Sequence, residues 1–533
     1  MLPIWSQLTT WWQRSLWLPG KRRAVAILLI VTLLTWGLSP AIAWARETVP
    51  TPSVAKGVSI APYLDRVRQQ VTEFRLDNGM KFIVLERPRA PVVSFVIYAD
   101  VGGANEPDGQ TGVAHYLEHL AFKGTPKIGT NNYKAEKPLL DQQDQLFTQI
   151  QAAKAKGQTE EVAKLKAEFD KLEAEASQYV KQNELGKIVE QAGGVGLNAT
   201  TSTDATMYFY SLPSNKLELW MSLESERFLE PVFREFYKEK QVILEERRLR
   251  TENSPVGQMI EAFAAKAFSV HPYRRPVIGS VQDIQNLSRQ NVKEFFETHY
   301  VPSKLTATVV GDVKAAEVKR LAEIYFGRYK AKVAPPDLTV VEPPQTETKE
   351  VTLRLQSQPW YLEGYHRPAM NHPDHPVYEV IGRLLSDGRT SRLYKSLVEQ
   401  QQVALAAQGF SGYPGDKYPN LMLFYAMTAP GHSVEEVATA LRTEIERLKT
   451  EPVAVVDLDR VKTQARAGLL RQLDSNMGMA FSLADYEVKT GSWRNLFKEI
   501  DAIAAITPAD IQRVAQATFR PENRTVGRLL SKS

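Results

Sequence analysis

The chain has 533 residues and no cysteine. That excludes disulfides, thiol nucleophiles and thiolate metal sites, so any metal must be held by nitrogen and oxygen. Histidine is scarce, with eight copies, which makes two at close spacing informative. No excess of one charge sign marks the body of the chain. The formal balance is +5, and Arg14, Lys21, Arg22 and Arg23 supply part of it from the first 23 residues. Without them the balance is close to neutral and no RNA- or DNA-reading motif is present, so no nucleic-acid partner is expected. Long apolar runs are also missing, apart from one near the N-terminus. The length exceeds what one hydrophobic core organises, and at least two globular domains are expected.

The N-terminal exception has three parts. The four cations precede an apolar run from Ala24 to about Leu38, and Ser39-Pro40 and an Ala43-Trp44-Ala45 site follow. Positive region, apolar core and small-x-small ending are the parts of a secretory signal peptide. The core is short for a membrane span, so residues 1–45 are expected to be removed and the mature protein to be periplasmic; an uncleaved anchor is the alternative. Residues 46–65 read as a tether.

From Val71 the pattern is strand, turn, strand, with Asn78-Gly79 between two alternating runs as a hairpin signal. Residues 91–100 form a further β-branched strand, and 111–122 carry helical periodicity. Residues 136–186 are charged and rich in Ala and Gln. Leu139, Gln143, Leu146, Ile150 and Ala153 make one seam; Val162, Leu165, Phe169, Leu172, Ala176 and Tyr179 make another. Paired seams predict an antiparallel helical hairpin with arms roughly 30 Å long. A Thr-rich strand over 197–210 and a long helical stretch to about Arg250 follow. Residues 331–349, rich in Pro and Thr, read as a linker, after which a strand at 350–355, helices at 377–385 and 391–399, and a closing helix–strand pair are expected.

The end of each half repeats one pattern. Asn291-Val-Lys-Glu-Phe-Phe-Glu-Thr-His-Tyr-Val-Pro-Ser-Lys-Leu and Asp510-Ile-Gln-Arg-Val-Ala-Gln-Ala-Thr-Phe-Arg-Pro-Glu-Asn-Arg each give a helix, an aromatic, x-Pro, polar residues and an apolar strand. The expected fold class is therefore α+β: two related domains, 66–330 and 350–533, each a mixed sheet packed with helices, with the helical hairpin inserted in the first.

His115-Tyr-Leu-Glu-His119 places two imidazoles at i and i+4, on one helical face where both rings can reach one zinc ion. Glu118 lies beside that position and is placed to take a proton from water activated there. A catalytic zinc needs a third protein ligand. Glu239, Glu245 and Glu246 share one helix, and composition does not choose among them. His366, His372 and His375 cluster in a Pro-rich segment over 365–376, read as an ordinary loop.

The order His-x-x-Glu-His, a long gap, then Glu-x6-Glu resembles the inverzincins, the pitrilysin and insulysin group that includes the mitochondrial processing peptidases. Gly112-Val-Ala-His-Tyr-Leu-Glu-His-Leu-Ala-Phe-Lys-Gly-Thr125 is similar to that family's signature almost residue for residue. The likeness continues through Gly193-Gly-Val-Gly-Leu-Asn-Ala-Thr-Thr-Ser, Val242-Ile-Leu-Glu-Glu-Arg-Arg and His271-Pro-Tyr. The resemblance implies a zinc metalloendopeptidase of the two-domain, bacterial processing-peptidase type. It makes His115, His119 and Glu246 the ligands of Zn2+, Glu118 the general base, and Glu239 the second acidic residue near the site. Asn198 and Ala199 match the strand that pairs with an extended peptide substrate.

Two departures stand out. The gap between His119 and Glu246 exceeds the family's usual one by roughly fifty residues, about the length of the hairpin. An Arg and a Tyr, seven apart, help hold substrate in active relatives, whereas the matching positions here are Val398 and Leu405. The resemblance thus implies a dimer, with itself or with a related subunit supplying the pair. A binding or scaffold subunit of little activity is the competing expectation.

Overall fold

A computed structural model describes residues 61–532; the expected signal peptide and most of the tether lie outside them. After a first helix (Ala61–Gln70), β1 (Val71–Arg75) and β2 (Lys81–Glu86) form the hairpin that Asn78-Gly79 signals, paired in register from Val71 opposite Leu85 to Arg75 opposite Lys81. Four more strands complete the first sheet: β3 (Val92–Ala99), β4 (Val195–Thr201), β5 (Thr206–Pro213) and β6 (Leu305–Gly311). The sheet order is β1-β2-β6-β3-β5-β4, with β2 and β6 parallel and every other pair antiparallel. The second sheet contains β7 (Lys349–Leu355), β8 (Trp360–Arg367), β9 (Ala404–Tyr413), β10 (Asn420–Thr428) and β11 (Arg524–Ser531). Its order, β7-β11-β8-β10-β9 with β7 and β11 parallel, is that of the first sheet without β1.

The repeated sequence pattern builds the same local structure twice. Helix Arg289–His299 is capped by Ser288 with Asn291, and helix Pro508–Thr518 by Thr507 with Asp510, reciprocal side-chain and backbone bonds that satisfy free N–H groups. Each helix ends on an aromatic, Tyr300 or Phe519, in nearly the same backbone conformation (φ −86°, ψ 62° and φ −86°, ψ 60°). A Pro-initiated turn then enters the central strand, β6 or β11.

β6 is buried along its whole length, so both faces of the first sheet need cover. One cover comes from the other half of the chain. Helix Asn476–Thr490 crosses β3 and β6, and Thr308 Oγ1 donates to the Ala480 carbonyl at 3.0 Å. The reciprocal element is helix Pro255–Ala267 of the first half, packed on β7 and β11. Its Met259, Phe263 and Ala267 share one core with Leu362, Leu421 and Leu529 of the second. Burying a side chain of Phe263's size favours the folded state by about 1.5–3 kcal/mol. The halves are therefore two sheets in sequence but exchange helices in space.

The inserted hairpin is present as helices Tyr133–Ala155 and Thr159–Ser177, with Gln143, Leu146, Ile150, Ala153, Leu165, Phe169 and Ala176 buried along the seam. It lies against helix Phe236–Arg247: the Tyr237 ring meets Phe147 and Phe169, each at 4.9 Å, and its hydroxyl donates to Asp144 at 2.9 Å.

Other segments differ from expectation. The single strand over 197–210 is a hairpin, β4 and β5, because Ser202 accepts the N–H groups of Asp204 and Ala205 and turns the chain. The helical stretch to Arg250 is two helices, Leu217–Leu229 and Phe236–Arg247, separated where Glu235 takes a left-handed conformation (φ 52°). The helix at 391–399 is present, but wound as a π-helix over Tyr394–Gln400. Nor are the three clustered histidines a simple loop: His366 is on β8 and bonds the Ala267 carbonyl at 3.1 Å, while His375 opens helix His375–Ser386. No helix among the described residues is long and apolar enough to cross a membrane.

Candidate metal centre

Helix Val113–Leu120 carries His115, Glu118 and His119. Its start is fixed by Gly112, whose left-handed backbone (φ 90°) sits so close to residue 278 that a Cβ would stand 2.6 Å from the Ile278 carbonyl oxygen. Glu106 caps the same end. Its two carboxyl oxygens accept the N–H groups of Gly112 and Ala114, each at 2.9 Å, where the helix dipole favours negative charge. Burial nevertheless pushes this carboxyl up to about 8.

Helix Phe236–Arg247 brings Glu239 and Glu246 to the two imidazoles. Glu246 Oε2 lies 3.7 Å from His115 Nε2 and 3.4 Å from His119 Nε2. Donors at bond lengths of about 2.0–2.1 Å around a tetrahedral ion are about 3.3–3.4 Å apart. These three are the only group of three or more His, Asp or Glu among the described residues whose ligand atoms all lie within 4.8 Å of one another. The donor set, two nitrogens and one carboxylate with no sulfur, fits zinc or a similar borderline cation.

The surroundings prepare these groups unequally. His119 Nδ1 bonds Glu239 Oε1 at 2.9 Å, which leaves Nε2 to face Glu246. Glu239 is held in turn by Lys123 Nζ at 2.7 Å, and Lys123 also pairs with Glu235 at 3.3 Å. Burial alone would lower His119, but its bonds to Glu239 and Glu246 outweigh that and lift it to about 9. Burial would likewise raise Glu239, yet His119 and Lys123 hold it at about 2. His115 is brought down to about 4 by burial, and its Nδ1 is buried with no hydrogen-bond partner. Arg250 bonds the other Glu246 oxygen at 2.7 Å.

Glu118 lines the cleft. Burial raises its carboxyl, partly opposed by a bond to the Thr201 side chain at the end of β4. β4 is the outer strand of its sheet, so its second edge is unpaired by any described strand. Asn198 is exposed there and Ala199 is buried. Glu118, His119, Asn198 and Glu239 line one cleft of about 370 Å³, whose far wall is residues 180–185, the return from the helical hairpin.

The structure thus gathers His115, Glu118, His119, Glu239, Glu246 and Asn198 in one place. The positions matched to the Arg/Tyr pair lie elsewhere: Val398 packs against the second-half core, and Leu405 is 52% exposed on β9. Sequence reasoning missed Lys123, Glu106, Thr201 and Arg250. Lys123 carries a signal, one helical turn beyond His119. Arg250 stands in the same relation to Glu246, and Glu106 lies six residues before Gly112; Thr201 alone comes from a distant segment.

Comparison with known proteins points to one family. Residues 81–151 and 169–281 match the family described as Insulinase (Peptidase family M16), and residues 286–465 match the Peptidase M16 inactive domain. The unmatched 152–168 is the tip of the helical hairpin. The zinc protease PqqE of Helicobacter pylori is 30% identical over 84% of this chain and 90% of its own. The probable mitochondrial-processing peptidase subunit beta of Schizosaccharomyces pombe is 24% identical over 83% of this chain and 87% of its own. The crystal structure of a protease from Helicobacter pylori superposes with a TM-score of 0.73 at 27% identity, covering 86% of this chain and 99% of that one. The chain belongs to peptidase family M16.

Proposed function

We propose that this protein is a zinc-dependent endopeptidase acting on peptides or unfolded segments, with residues 1–45 directing it to the periplasm. One observation carries the reading: the ligand atoms of His115, His119 and Glu246 come together, and His119 with Glu118 also lines the cleft that Asn198 of β4 borders. In this reading the three residues hold zinc, which when bound polarises a peptide carbonyl and lowers the pKa of water to about 7.

The chain's own groups do the rest. The β4 edge around Asn198 and Ala199 pairs with an extended substrate, which explains a preference for unfolded segments. A Glu118 carboxylate oxygen takes the proton from the attacking water and then returns it to the leaving amine nitrogen. Its burial-raised pKa suits both steps. Glu239 fixes the His119 ring through Nδ1 and so keeps Nε2 aimed at the metal.

Val398 and Leu405 cannot donate side-chain hydrogen bonds to substrate. A second copy would bring the same two residues, so a related subunit bearing Arg and Tyr is the favoured partner, and the fission-yeast relative is itself named a subunit. The same two positions favour a second reading, a binding or scaffold subunit of low activity. The test is zinc content and peptide cleavage by the processed chain beside its Glu118→Gln variant, alone and with a co-purified related subunit. Glu118-dependent turnover supports the peptidase. One zinc per chain with no turnover in either setting supports the scaffold.

A further inference from the structure

The turn at residues 202–205, between β4 and β5, is gripped from both halves of the chain. On the first-half side, the N–H groups of Gly103 and Ala104 donate to the Ser202 and Thr203 carbonyls at 3.0 and 2.8 Å. On the second-half side, the loop at 413–418 closes over it. Asp204, 3% exposed, accepts the N–H groups of Asp416 and Lys417 on Oδ2 at 2.8 and 3.1 Å. Its Oδ1 accepts the Tyr273 hydroxyl at 2.5 Å, and that hydroxyl accepts the Tyr418 N–H at 3.2 Å. Thr203 Oγ1 donates to the Pro414 carbonyl at 2.9 Å. Gly415 fits tightly on top: a Cβ there would stand 2.5 Å from Asp204 Oδ2 and 2.6 Å from Thr203 Oγ1.

Few side chains other than a carboxylate can accept from three donors on two segments at once, and these bonds offset part of the cost of burying it. The exchanged helix backs the same turn. Ala484 packs with Ala205 and Tyr98, and Lys489 pairs with Asp416 at 2.6 Å and Asp485 at 2.7 Å. The turn immediately follows Thr201, whose side chain bonds Glu118, and lies three residues beyond Asn198 and Ala199. A shift of this turn must move β4.

We infer that Asp204 is a positioning residue: by clamping the turn to the loop at 413–418, it sets the placement of the peptide-binding edge of β4 and, through Thr201, of Glu118. The half without ligands thus tunes the half that has them. The inference rests on the peptidase reading for its kinetic consequence, but not for its structural one.

The experiment uses the processed full-length chain, its Asp204→Asn variant and its Gly415→Ala variant. The second variant deletes no hydrogen-bonding group and changes only the second half. Zinc content, hydrogen exchange of the β4 amides, and kcat and KM on an extended peptide are measured. The expected result is unchanged zinc, faster β4 exchange and a higher KM, with kcat/KM falling by up to about 100-fold, as for a 1 Å misplacement of a positioning element. Wild-type β4 exchange and KM in folded Gly415→Ala protein would overturn the inference. Should Asp204→Asn fail to fold, Gly415→Ala decides alone. A wild type without turnover, both alone and with the related subunit, would sink the peptidase reading, while β4 exchange would still decide the clamp.

Discussion

The two halves share a strand order and part company at the first α-helix after β3 and after β8. After β3, that helix is Val113–Leu120, with two imidazoles facing a carboxylate. After β8, it is His375–Ser386, and its histidine meets a cation: Arg367 donates to His375 Nδ1 at 2.9 Å, with Glu499 3.6 Å from Nε2. That imidazole has no second one a helical turn on, because the residue four positions later is Glu379. The comparison teaches that duplicating a sheet and its helices is not enough to make a metal centre. Two imidazoles one helical turn apart must also face one point with the anion that a second helix delivers, as His115 and His119 do with Glu246.

The sharpest break between the halves should come from their histidines. His119→Ala is expected to remove zinc and all cleavage, while His375→Ala keeps full zinc content; metal analysis after gel filtration checks both. Loss of zinc from the second variant would break the comparison. Next in size is Glu118→Gln, which should keep zinc yet slow turnover by about 10²–10⁴-fold, the usual worth of a general base. Steady-state kinetics at saturating zinc is the measurement.

Glu239→Gln should act on the metal rather than on the chemistry. Zinc affinity is expected to fall by about 10–100-fold, as when an outer partner of a ligating histidine is removed. Competition with a chelator reads this out, and turnover at saturating zinc should stay near wild type.

The smallest effect probes how the halves are joined. Glu73 on β1 is raised by burial, but Lys81, Arg494 and Trp493 outweigh that and hold it at about 2 against 4.5. Two of these partners, Arg494 and Trp493, belong to the second half. A carboxyl depressed in the folded state adds stability above its unfolded value and loses it as pH falls toward the folded one. Glu73→Gln should therefore be less stable than wild type above about pH 4.5, with the gap closing toward pH 2. Urea midpoints across that range test the sign.

Much of the site was legible because its signal is local. His115 and His119 share a helical face by their spacing alone, and the hairpin seams were visible at 3.6-residue periodicity. Glu246 was not separable from Glu239 and Glu245 by composition, since all three occupy one exposed helix. The structure separates them: Glu246 reaches both imidazoles, Glu239 reaches one from behind, and Glu245 pairs with Arg248. The break between β4 and β5 was missed because Ser202, Thr203 and Asp204 are compatible with a Thr-rich strand until the turn bonds are seen.

By itself the sequence determined the helix bearing His115, Glu118 and His119, the inserted hairpin and the repeated helix–strand ends, because each is encoded in neighbours a few residues apart. Only the tertiary structure decided the exchange of helices Pro255–Ala267 and Asn476–Thr490, the outward place of β4 in its sheet, and the grip of the loop at 413–418 on Asp204. Those contacts join segments far apart in the chain. They form because β3, β6 and β11 must bury apolar faces that no adjacent segment covers, and periodicity has no term for which distant helix does so.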